Sequence, residues 1–156
     1  MKIALSWHEV AMATEIGRMR QLSSLSHQRK GFLPSSVGWD THCEGACGEL
    51  AVAKYLGIFW NGSVDTFKEC DLPGLQVKTR TRHTYELNIN LDANPDEVFV
   101  LVTGTCPEYV LRGWIIGREA MKPEYVLDVG NYGKKAYFVP QSILNPIETL
   151  RKQVAA

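Results

Sequence analysis

Apolar positions along this chain change period several times, and each change marks an element. Residues 6–30 carry Val10, Ala13, Ile16, Met19 and Leu22 as an apolar stripe, which predicts a long helix. Ser6 followed three positions later by Glu9 is a capping box, and Gly31 is suited to end the helix. Residues 31–40 hold Pro and Gly and predict a loop. In residues 44–57, Ala46, Leu50, Ala53 and Leu56 return at helical spacing, and Gly57 suits a C-cap. Asn61-Gly62 then signals a tight turn, with Phe59 and Trp60 beside it expected in the core.

The period falls to two in residues 75–82. Leu75, Val77, Thr79 and Thr81 belong to one face of that strand, and Gln76, Lys78, Arg80 and Arg82 to the other. Residues 85–91 alternate in the same way. Residues 98–102 are continuously apolar, which marks a central strand covered on both faces. Residues 109–116 and 136–139 read as further strands, 118–121 as a helical turn, and 143–154 as a terminal helix. The expected fold class is therefore α/β (α+β). A single domain over residues 1–156 would hold a mixed central sheet flanked by helices, with its motif-bearing core in residues 40–140.

Chain length fits one domain with a proper core. Lys plus Arg and Asp plus Glu both number 17, a net charge of zero, which argues against a protein that coats nucleic acid by bulk electrostatics. A local segregation remains, with Lys78, Arg80, Arg82 and His83 forming the densest basic run. No run approaches membrane-spanning length and the first residues lack a signal-peptide pattern, so the expected location is intracellular and cytoplasmic. The four cysteines, Cys43, Cys47, Cys70 and Cys106, lack a C-x-x-C pair and are expected to be free thiols. A four-cysteine metal site is the competing reading.

Two features carry the chemistry. Glu49 lies among Ala46, Val52 and Ala53 on its helix, and a carboxylate beside an apolar face needs a pairing arginine or a metal. Asp71 precedes a short Pro-Gly turn and then Gln76-Val77-Lys78. An acid followed by a polar row of an amide and cations is a pattern suited to a metal and a phosphate, although an ordinary solvated strand face has it too.

With their order along the chain, Gly48, Glu49, Ala53, Tyr55 and Leu56, then Asp71, then Gln76, Val77, Lys78, Thr79 and Arg80 resemble the PD-(D/E)XK nuclease superfamily. The likeness is to its small Holliday-junction-resolvase-like branch and to small tailed-phage proteins placed in it. Gln76 stands where that superfamily usually has Asp or Glu, and Asp65 is an alternative to Asp71 with a longer loop. The resemblance implies a restriction-endonuclease-like fold and a metal-dependent DNA endonuclease of phage type, acting in the host cytoplasm. Glu49, Asp71 and Gln76 would hold magnesium or manganese and Lys78 would complete the catalytic set. Arg80, Arg82 and His83 would contact DNA, and a two-fold homodimer would match a two-fold substrate. Gln76 also sustains a rival, a catalytically inactive nucleic-acid-binding or protein-interaction module on the same fold.

Overall fold

The computed structural model describes residues 1–27, 35–65, 70–128 and 135–154. Its elements run β1 (Lys2–Ala4), α1 (Trp7–Ser26), α2 (Ser35–Leu56), β2 (Leu75–Arg80), β3 (Leu87–Asn90), β4 (Val98–Thr105) and β5 (Glu108–Ile116). The short α3 (Gly117–Ala120), β6 (Val126–Leu127), β7 (Ala136–Val139) and α4 (Leu150–Val154) follow. Four strands form a mixed sheet in the order β1-β5-β4-β2, with β4 parallel to β2 and antiparallel to β5. A second, antiparallel sheet has the order β3-β7-β6. The chain is thus a single α/β domain with a mixed central sheet flanked by helices, as its alternation of periods implies.

β4 sits between two cores, which explains its unbroken apolar run. Val98, Val100 and Val102 face one cluster with Ala46, Cys47, Leu50 and Ala53 of α2. Phe99 and Leu101 face the other, with Leu87 and Ile89 of β3 and Val139 of β7. Burying each such large side chain stabilises the fold by roughly 1.5–3 kcal/mol.

The capping box forms as expected: Glu9 N–H donates to Ser6 Oγ at 3.3 Å and Ser6 N–H to Glu9 Oε2 at 2.6 Å. The stripe of α1 differs. Its buried positions are Ala13, Gly17 and Gln21, whereas Met19 and Leu22 are exposed. Steps of three residues fall about 60° short of a turn, so Met19 is rotated to the side opposite Val10. Gly17 lies on the true inner face, where an added Cβ would sit 2.5 Å from Cys43 Cα of α2. The end of the expected helix, with Arg29, Lys30 and Gly31, lies outside the described residues, as do residues 32–34 of the expected loop. Residues 35–40 already belong to α2.

Other expected boundaries also move. β2 stops at Arg80, so Thr81 and Arg82 lie beyond the strand. The strand expected over 85–91 is confined to Leu87–Asn90. Instead of one helix over 143–154, there are 3-10 turns at Gln141–Ile143 and Ile147–Thr149 before α4. Pro146 offers no N–H to an earlier carbonyl, and Asn145 pairs with Trp114 of β5 through two backbone bonds of 2.8 and 3.1 Å. Phe59, expected inside, is 85% exposed, because the chain swings away at Gly57 (φ 72°). No helix among the described residues is long and apolar enough to cross a membrane.

Candidate metal and phosphate site

β2 is an edge strand, and its two faces do different things. Leu75, Val77 and Thr79 turn toward α2, which comes close enough at Gly48 that an added Cβ would meet Thr79 Oγ1 at 1.9 Å. Just upstream, Leu72 and Leu75 form an antiparallel bridge around Pro73 and Gly74, the latter at φ 71°. This tight reversal, which needs a glycine at positive φ, folds Asp71 back along the free edge of the strand. Its Oδ2 accepts the Val77 N–H at 2.7 Å.

Beside Asp71 lies a buried ion pair. Glu49 is 5% exposed and accepts from Arg20 Nη1 at 2.6 Å and Nη2 at 2.9 Å, while Trp60 Nε1 donates to it at 3.1 Å. Arg20 also donates through Nε to Ser63 O at 2.9 Å. Sequence reasoning named the pairing arginine as one option for Glu49 without identifying Arg20, which lies 29 residues earlier. Burial disfavours the Arg20 cation, yet the Glu49 hydrogen bonds and charge hold its pKa above the ordinary value. Desolvation, and then the charge of Glu49, push the Asp71 carboxyl up from 3.8 to about 6. The Val77 N–H, Lys78 and Arg20 oppose that rise. Glu49, Asp71, Lys78 and Arg20 therefore share one electrostatic neighbourhood.

On the other face of β2, Gln76 and Lys78 open into a polar cavity of about 420 Å³ that Asn90, Asp92, Asn94 and Glu97 also line. Neither side chain of that pair makes a hydrogen bond or ion pair among the described residues. Asp71 and Cys70 line a second hollow of about 440 Å³, and Cys70 Sγ approaches Glu97 Oε1 at 3.8 Å. Sequence reasoning gave Glu97 no role. The signals were its place immediately before the most buried strand and the run of acids from Asp92 to Glu97. Asp65, the alternative acid, is engaged instead by Ser23 Oγ, 2.6 Å from each carboxylate oxygen.

The three residues expected to contact nucleic acid separate. Arg80 is partly buried, its guanidinium 4.8 Å from the Tyr85 ring centroid and 6.0 Å from that of Phe138. Desolvation lowers its pKa, against the charges of Tyr85 and Glu86. Arg82, off the end of the strand, is exposed and stacks on the same tyrosine at 5.6 Å. His83 is exposed too, with Nδ1 3.1 Å from the buried Thr103 Oγ1, to which Arg112 Nε donates at 2.7 Å.

All four cysteines are free. Cys43, Cys47 and Cys106 neighbour Glu44, whereas Cys70 neighbours Glu97 and Asp71. Burial, then the neighbouring Cys106, push the Cys47 thiol up to about 12. Among the described residues no three His, Cys, Asp or Glu side chains are grouped to hold a metal ion. Comparison with known proteins finds no matching family model, no matching curated protein and no matching solved structure.

Proposed function

We propose that this chain is a metal-dependent DNA endonuclease on a restriction-endonuclease-like fold, hydrolysing phosphodiester bonds. The observation that carries the reading is the Asp71 carboxylate, pinned to the edge of β2 by the Val77 N–H and under the charge of Lys78. Gln76 and Lys78 line a polar cavity on the other face of the strand, without a hydrogen bond or ion pair among the described residues. The donor chemistry fits magnesium or manganese: Asp71 and Gln76 offer hard oxygen atoms, and Asp71 is crowded by a second carboxylate. A bound ion of this kind lowers the pKa of its water and polarises the phosphate.

The chain's own residues do the rest. Glu49, locked by Arg20, adds negative charge behind Asp71 and favours a cation in front of it. Lys78 orients the attacking water and stabilises charge on the phosphate oxygens as the bond to the leaving oxygen breaks. Arg82 binds a flanking phosphate, with Arg80 held behind it by Tyr85.

The test is cleavage of supercoiled, linear and four-way-junction DNA with magnesium or manganese. Asp71→Ala and Lys78→Ala each lose about 100-fold or more of cleavage while still binding DNA, and Gln76→Glu retains or gains activity. The non-catalytic reading is favoured by one observation, that both Glu49 oxygens already bind Arg20. Salt-sensitive DNA binding without cutting under either metal would decide for it.

A further inference from the structure

β5 carries one extra residue against β4. Val102 pairs with Leu111 and Leu101 with Gly113, so Arg112 is the residue inserted between them. A bulge of this kind bends its strand and re-aims a side chain. Here the half-buried guanidinium turns onto β4, where Nε donates to Thr103 Oγ1 at 2.7 Å. Thr103 is fully buried, and a buried hydroxyl is costly unless hydrogen-bonded. This one holds two side chains at once, since His83 Nδ1 lies 3.1 Å from the same oxygen. His83 is fixed in turn by Gln141, whose Nε2 donates to the carbonyls of His83 and Tyr85 at 2.8 and 2.7 Å. On the other side of Thr103, its register partner on β2 is Arg80.

This cluster lacks an anion. Arg18, Arg20 and Arg118 each pair with a carboxylate, whereas Arg80, Arg82, Arg112 and His83 pair with none among the described residues. Glu86 acts on Arg80 through its charge without bonding it. Arg112 is engaged through Nε, and among the described residues both terminal nitrogens of its fork stay open, as does His83 Nε2. Arg80 and Arg112 flank Thr103 on neighbouring strands, and an anion between them relieves their repulsion. A guanidinium held with its fork free is suited to two oxygens of one phosphate. We propose that Arg112 and His83, set in place by Thr103, bind a phosphate of the DNA backbone, an inference that rests on the DNA contact in the reading above. Arg80 lies two residues, about 7 Å, beyond Lys78 on the same face of β2, so this contact continues the path of phosphates past Lys78.

The experiment is fluorescence anisotropy of a labelled duplex across a salt series without divalent metal, with circular dichroism checking the fold of each variant of the full chain. Arg112→Ala is expected to weaken binding about tenfold or more and to flatten the salt slope by about one. Thr103→Val keeps the charge of Arg112 but releases its side chain, so affinity is expected to fall several-fold with the slope retained. A folded Thr103→Val that binds as the parent does overturns the positioning role. Unchanged affinity and slope in folded Arg112→Ala overturn the site. If the slope is unchanged but inorganic phosphate raises the melting temperature of the parent and not of Arg112→Ala, the site takes free phosphate and its DNA role is overturned. A chain that binds DNA through Arg112 yet never cuts it with magnesium or manganese overturns the nuclease reading and leaves this site standing.

Discussion

Asp71 meets two opposed demands. Its Oδ2 satisfies a backbone N–H on the free edge of β2, while burial and the nearby Glu49 charge disfavour its ionised form. A carboxyl whose pKa rises from 3.8 to about 6 on folding binds more protons in the folded state between those values. Its contribution to stability is full below pH 4 and is lost as pH rises through 6. The loss is on the order of 1–3 kcal/mol. Asp71→Asn keeps an oxygen for the Val77 N–H but removes the charge. The variant is therefore more stable than the parent by that amount at pH 7.5, and indistinguishable from it at pH 4, in urea unfolding at each pH. Equal stability at pH 7.5 would mean that the carboxylate is not under electrostatic stress. At this scale the sequence was half legible. The type and spacing of Glu49, Asp71, Gln76 and Lys78 were visible, and that Glu49 needed a partner followed from its helical neighbours. Arg20 as the partner was not visible, because nothing local links a residue of α1 to one of α2.

At the scale of elements, the distance between α2 and β2 sets the separation of Glu49 from Asp71. Gly48 allows that distance. Thr79 Oγ1 is buried beneath it with no hydrogen-bond partner among the described residues, so the contact is one of shape. Gly48→Ala forces a methyl group into a short, β-branched side chain that has little room to yield. The variant is expected to lose about 1–3 kcal/mol despite the higher helix propensity of alanine. Thr79→Ala in the same chain removes the obstacle and recovers most of the loss, measured by thermal unfolding of the two single variants and the double. A Gly48→Ala chain as stable as the parent would show that the two elements are free to separate. The helix and the strand were each readable from their periods, but their contact was not. Periodicity also misplaced the inner face of α1, because a three-residue step mimics a stripe while drifting round the helix. It missed β1 and β6, which at three and two residues are too short to show a period.

For the whole molecule, sheet order decides which residues meet, and order is a property of long-range pairing. No local pattern reveals that β2 lies at an edge, that β4 joins it in parallel, or that β3 leaves for a second sheet. Glu97 lines the cavity of Gln76 and Lys78 through that pairing. The molecule has zero net charge, and its densest basic run, Lys78, Arg80 and Arg82, lies on and just beyond β2. On the nuclease reading, attraction to DNA would come from a few local contacts and not from a long-range field. Each phosphate neutralised contributes about −0.9 to the slope of log affinity against log salt, so Lys78, Arg80 and Arg82 together give roughly −2 to −3. Arg82 is exposed and outside the strand, so Arg82→Ala is expected to flatten the slope by about one and leave the melting temperature unchanged. Arg80 is packed between Tyr85 and Phe138, and Arg80→Ala lowers the melting temperature as well as the slope. Fluorescence anisotropy with a labelled duplex across a salt series measures both slopes. A slope that Arg82→Ala does not change would remove that residue from the DNA contact. A slope much steeper than −3 would place the main phosphate contacts elsewhere on the surface.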